Sequence, residues 1–91
     1  MKVFALDHDG MQLVVEFDSA MFLYYRVRLI VDNAVADERA LVGGSVMLRA
    51  THPAAVRVEA TLGWWGPKRA VLHDDRRQQT IPFEKVSSRR R

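Results

Sequence analysis

The sequence predicts an all-β fold, an antiparallel β-sandwich of seven or eight short strands joined by tight turns. Three observations carry this expectation. Between Phe22 and Val31, Leu23, Tyr25, Val27, Leu29 and Val31 alternate with Tyr24, Arg26, Arg28 and Ile30. A period of two places the two sets on opposite faces of a strand. Asp32-Asn33 follows, a pair that tolerates the left-handed backbone of a tight hairpin. The same alternation and turn chemistry recur along the chain. Connections of two to five residues are too short for parallel crossovers, which need about a dozen.

Each element follows from this grammar. Lys2 to Asp7 forms a first strand, closed by His8-Asp9-Gly10, in which Asp-Gly is a strong hairpin signal. In the second strand Met11, Leu13, Val15 and Phe17 face one way and Gln12, Val14, Glu16 and Asp18 the other, so it is half-buried. Asp18-Ser19-Ala20 is the next turn, and the third strand ends at Val31. In Ala34 to Leu41, Ala36 to Ala40 would suit a helix turn as well as a strand; a charged edge strand is favoured, because the charge of Asp37, Glu38 and Arg39 there discourages pairing with other molecules. Gly43-Gly44 breaks the chain before a fifth strand of Val46, Leu48 and Ala50. His52-Pro53 cannot continue a central ladder, since proline lacks the amide donor. Val56, Val58, Ala60 and Leu62 mark the sixth strand, and Gly63-Trp64-Trp65-Gly66-Pro67 is a loop by composition. Lys68 to His73 is the seventh strand, turned by Asp74-Asp75, and Arg76 to Phe83 returns as an eighth. The predicted core is Leu13, Val15, Phe17, Tyr25, Val27, Leu29, Val46, Leu48, Val56, Val58, Ala60 and Leu62.

At 91 residues, 48% of them hydrophobic, the chain forms one domain with a core of its own. We place that domain at residues 1–83, followed by a basic, disordered tail at 84–91 that is almost without apolar residues. The net charge is +3, yet residues 1–83 hold ten basic and ten acidic side chains. The excess lies in the tail, which weakens any inference of a basic nucleic-acid surface on the domain. No cysteine is present, no apolar run approaches the ~20 residues of a membrane span, and Asp7 interrupts the N-terminal apolar stretch. These features favour a cytoplasmic protein.

No catalytic motif accompanies the strands. Ser19, Ser45, Ser87 and Ser88 lack a nucleophile-elbow context, and Gly43-Gly44 lacks the lysine and helix of a phosphate loop. His8 lies between Asp7 and Asp9, and His73 precedes Asp74 and Asp75. If the two His-Asp clusters met in space they could hold a metal, although their spacing matches no standard site. Asp7 also begins no calcium loop, because Gln12 stands where glycine and Asp18 where glutamate would be needed. Aspartate beside a tight turn is otherwise explained by bonds to its own backbone, so no metal ligand, catalytic residue or cofactor is assigned. The binding candidates are Trp64 and Trp65, which either cap one end of the sandwich or present an aromatic anchor for a protein, a sugar or a nucleobase. Arg26 and Arg28, on the solvent side of their strand, join them as a basic face, unless Glu16 and similar neighbours pair with them across strands.

The layout from Met11 to Phe83 resembles the β-sandwich domain of the Fas apoptosis inhibitory molecule family. A strand like Met11–Asp18 precedes Arg26-Val27-Arg28-Leu29-Ile30-Val31-Asp32-Asn33. A middle pair of short strands follows, then a closing hairpin like Ala70-Val71-Leu72-His73-Asp74-Asp75. Asn33 and Asp75 stand where that family's turn places glycine after aspartate. The resemblance implies a non-catalytic sandwich acting through protein contacts, with no site residues to carry over. The expectation is a small non-enzymatic binding or protein-interaction module, whose partner is another protein or a second copy in a homodimer. Nucleic-acid or carbohydrate binding through the Trp64-Trp65 loop and basic residues is the alternative, and a metal-dependent enzyme is less favoured.

Overall fold

The structure is a computed structural model that describes residues 2–21, 24–51, 55–63, 66–75 and 77–86. The described residues form an all-β fold of nine antiparallel strands. They are β1 (Lys2–His8), β2 (Met11–Met21), β3 (Tyr24–Val31), β4 (Ala34–Leu41), β5 (Gly44–Ala50), β6 (Val56–Gly63), β7 (Gly66–Asp74), β8 (Gln79–Pro82) and β9 (Glu84–Val86). One sheet has the order β4-β3-β2-β1-β9 and the other β5-β6-β7-β8. Every hydrogen-bonded neighbour except the β1–β9 pair is consecutive in sequence, so the chain is a meander folded over on itself.

Two hairpins take the form their turn residues dictate. Asp9 and Gly10 have φ of 52° and 78°, and Asp32 and Asn33 have 49° and 71°. Positive φ at both central positions defines the turn whose twist matches that of paired strands. The second hairpin is also tied to β2: the Gln12 amide donates to the Asp32 carboxylate at 2.9 Å, and the Asp32 amide donates to the Gln12 carbonyl at 2.9 Å.

The core lies between the sheets. Leu13, Val15, Phe17, Val27 and Leu29 of the first sheet meet Leu48, Val58, Ala60, Ala70 and Leu72 of the second. Phe4 packs edge-to-face on Phe17 with ring centroids 5.6 Å apart. All twelve core residues expected from alternation pack here, ten buried and two, Tyr25 and Val46, half-buried at the margin. Phe4, Met11, Leu41, Leu72 and Phe83 are buried as well.

Element boundaries depart from expectation in several places. β2 continues through the expected turn at Asp18-Ser19-Ala20, because a bulge between Ser19 and Met21 absorbs a residue without ending the ladder. β1 runs one residue further than alternation alone implied, to His8, and β7 spans Gly66–Asp74 rather than Lys68 to His73, so Gly63, Gly66 and Pro67 of the expected loop belong to paired strands. β8 starts at Gln79 rather than Arg76. Strand pairing also extends beyond residue 83. The Phe83 amide still donates to the Ala70 carbonyl of β7 at 2.9 Å, while Glu84 already pairs with Ala5 of β1. A single bent strand therefore switches sheets at Phe83 and supplies the ninth element. Residues 87–91 of the expected tail lie outside the described residues.

The opposite seam, between β4 and β5, is closed by a side chain. A bulge in β4 pairs Leu29 with Asp37 and Ile30 with Val35. Asp37 then accepts the Arg49 amide of β5 at 2.9 Å, the Glu38 amide at 2.9 Å and Arg39 Nε at 3.3 Å. Burial pushes the Asp37 carboxyl up. The Arg49 amide, the Arg39 side chain and the Glu38 amide outweigh it and hold the group below the usual carboxylate range. β4 is the charged edge strand that its sequence implied.

Candidate functional site

The polar end of the sandwich arises from strand parity. Phe4, Leu6 and His8 occupy the inward positions of β1, and Ala70, Leu72 and Asp74 those of β7. The last inward residue of each strand is polar, and the two meet across the gap between sheets. His8 Nε2 lies 3.2 Å from Asp74 Oδ2, with side chains only 13% and 10% exposed. A carboxylate only accepts, so Nε2 carries the shared proton.

Two turns complete the cluster. Asp9, at the tip of the β1–β2 hairpin, places Oδ2 3.4 Å from His8 Nε2. Arg77, in the β7–β8 connection, sets Nη1 3.1 Å from both Asp9 Oδ2 and Asp74 Oδ2. Its amide donates to Asp74 Oδ1 at 3.3 Å. The Asp9 hydrogen bond, then the charges of Asp9 and Asp74, raise the Arg77 guanidinium above its usual value. The protein's own cation is therefore seated on the two carboxylates.

Beside the cluster is a cavity of about 170 Å³ lined by His8, Asp9, Met11, Ala55, Val56, Leu72, His73, Asp74 and Asp75. Its floor is apolar and its rim carries three carboxylates. Asp75 is gripped in bidentate fashion by Arg57, at 2.9 and 2.6 Å. That guanidinium holds the Asp75 carboxyl below its usual range. His73 lines the cavity, but its Nε2 bonds Glu59 at 3.1 Å on the outer face of the four-stranded sheet. The two His-Asp clusters of the sequence thus meet at one end of the sandwich, with Asp74 rather than His73 as the link to His8.

Arg26 and Arg28 lie on the outer face of the five-stranded sheet, in a ladder of alternating charge. Arg28 reaches Glu16 at 3.4 Å and Glu38 at 3.7 Å, and Arg26 reaches Glu38 at 3.2 Å. Glu16, Arg28 and Glu38 are directly opposite one another on β2, β3 and β4, which is why they pair. Trp64, Trp65 and His52 lie outside the described residues.

Sequence reasoning placed His8 and the aspartates in turns and did not foresee Arg77. Parity along β1 and β7 is the signal that points to His8 and Asp74. For Arg77 the sequence holds no comparable signal. Compared with protein-family models, curated proteins and solved structures, the chain matches none. No helix among the described residues is long and apolar enough to cross a membrane.

Proposed function

We propose that this chain is a small non-enzymatic binding module, and that its ligand site is the cavity between the β1–β2 hairpin and the β7–β8 connection. The observation that carries this reading is the pairing of an apolar floor, Met11, Val56 and Leu72, with a rim on which Asp9, Asp74 and Asp75 outnumber Arg57 and Arg77. Three carboxylates against two guanidiniums make a rim that favours a cation. The cavity, at about 170 Å³, is smaller than the roughly 300–1,000 Å³ that hold drug-sized ligands. It suits a single side chain, an arginine or lysine of a partner protein, whose aliphatic stem covers the floor while its charge meets the rim. Arg77 already presents a guanidinium to the same carboxylates from within the chain.

The resemblance to Fas apoptosis inhibitory molecule domains supports the same class, a sandwich acting through protein contacts. Nucleic-acid or carbohydrate binding through Trp64, Trp65, Arg26 and Arg28 has less support, because Glu16 and Glu38 neutralise both arginines. The test is an NMR titration of the ¹⁵N-labelled chain with short peptides carrying one arginine, one lysine or one norleucine. The charged peptides should shift amides at 8–11, 55–56 and 72–75, and Asp9→Asn should weaken the response. Equal shifts with norleucine, or shifts elsewhere, would refute a cation-selective site.

A further inference from the structure

We propose that His8, Asp9 and Asp74 form a binding site for a divalent transition-metal ion of the Zn²⁺ class, which Arg77 guards by occupying it. The proposal rests on the reading of this end as a cation-accepting site and names a second kind of cation for it.

The donor set and its spacing carry the inference. One imidazole nitrogen and two carboxylate oxygens, offered by β1, the β1–β2 hairpin and β7, all lie within 4.8 Å of one another. His8 Nε2 stands 3.2 Å from Asp74 Oδ2 and 3.4 Å from Asp9 Oδ2. Zinc bonds of about 2.0–2.2 Å at tetrahedral angles separate neighbouring donors by roughly 3.3–3.6 Å. Both distances from His8 therefore lie at or close to the values an ion would need. An imidazole among the donors selects zinc, cobalt, nickel or copper over calcium and magnesium, which prefer an all-oxygen shell.

A second observation points to a cation at this spot. Arg77 Nη1 touches the same two carboxylate oxygens at 3.1 Å each. The field there is thus negative enough to hold a guanidinium. Arg77 is half exposed and belongs to a connection rather than a strand, so its side chain can swing into solvent as an ion enters. Three protein donors would leave a fourth coordination position for water or a ligand atom. On binding, the Nε2 proton of His8 moves to Nδ1 or leaves to solvent, which frees the nitrogen lone pair for the ion.

The experiment is calorimetric titration of the tag-free full chain with ZnCl₂, repeated on His8→Asn, Asp74→Asn, Arg77→Gln and, as a control, His52→Ala. ¹H–¹⁵N spectra of each variant establish that it is folded. The expected result is one ion per chain, at least about tenfold weaker binding in His8→Asn and Asp74→Asn, and several-fold tighter binding in Arg77→Gln because the internal competitor is gone. Co²⁺ should give a d–d absorption band that His8→Asn removes. Any one of four results would overturn the proposal: no heat of binding, unchanged affinity in folded His8→Asn, loss on His52→Ala instead, or weaker binding in Arg77→Gln. Binding of the arginine peptide without any binding of Zn²⁺ would sink the metal site and leave the cation-accepting cavity standing. Failure of both would remove the two together.

Discussion

Replacing Asp37 should show how much one side chain contributes to closing the seam between the sheets. Its carboxylate, 17% exposed, accepts the amides of Arg49 and Glu38 and the Nε of Arg39. The Arg39 bond is exposed and worth at most about 1 kcal/mol. The Glu38 amide is local and can turn to water. The Arg49 amide is the costly loss, because it belongs to the edge strand β5 and faces β4, which offers it this acceptor. Hydrogen bonds to charged groups contribute about 1.5–3 kcal/mol, so Asp37→Ala should cost about 2 kcal/mol. Asp37→Asn retains one carbonyl oxygen, enough for one of the two amides, and should cost about half as much. For a chain of this size about 2 kcal/mol lowers the melting temperature by roughly 8–16 °C, which calorimetry or urea denaturation resolves. The pH dependence checks the cause. Asp37 titrates below its usual range when folded, so its contribution is complete above the unfolded carboxylate value near ~3.9. It is lost as pH falls through the lower folded value. The gap between the native chain and Asp37→Asn should therefore be constant from pH 7 to about 5 and close in strong acid. An Asp37→Ala variant within about 0.5 kcal/mol of the native chain, or a gap unchanged in acid, would show that the seam is closed by something else.

Three further substitutions probe the faces and the packing. Val27→Asp places an unpaired carboxylate at a fully buried position and should cost at least about 3 kcal/mol, whereas Arg26→Asp, on the exposed face beside Glu38, should cost about 1 kcal/mol or less. Equal losses in urea denaturation would mean the faces of β3 are reversed. Gly66→Ala should destabilise by more than about 1 kcal/mol, because Gly66 has φ of 111° and a Cβ there would sit 3.2 Å from the Tyr25 hydroxyl. An unchanged melting temperature would contradict that backbone geometry.

The sequence by itself determined whatever depends on near neighbours. Alternation along β3 and β6 sorts Val27 and Leu29, or Val58 and Ala60, to one face whatever the rest of the chain does, because successive side chains in an extended backbone must oppose one another. Asp9-Gly10 and Asp32-Asn33 determine their turns because left-handed φ is a property of the residues themselves. What the tertiary structure decided is whatever depends on a cross-strand partner. The bulge in β4 exists relative to the register of β3, so nothing in Ala36-Asp37 alone announces that Asp37 will face β5. The switch of sheets at Phe83 requires β7 on one side and β1 on the other. His8 and Asp74 are 66 residues apart, and each reads locally as an aspartate-rich turn. Their meeting, with Arg77 drawn onto the same oxygens, follows only when the meander closes and brings the last inward position of β1 opposite that of β7. Short-range sterics set the faces and turns, but long-range closure of the two sheets sets which polar ends share one site.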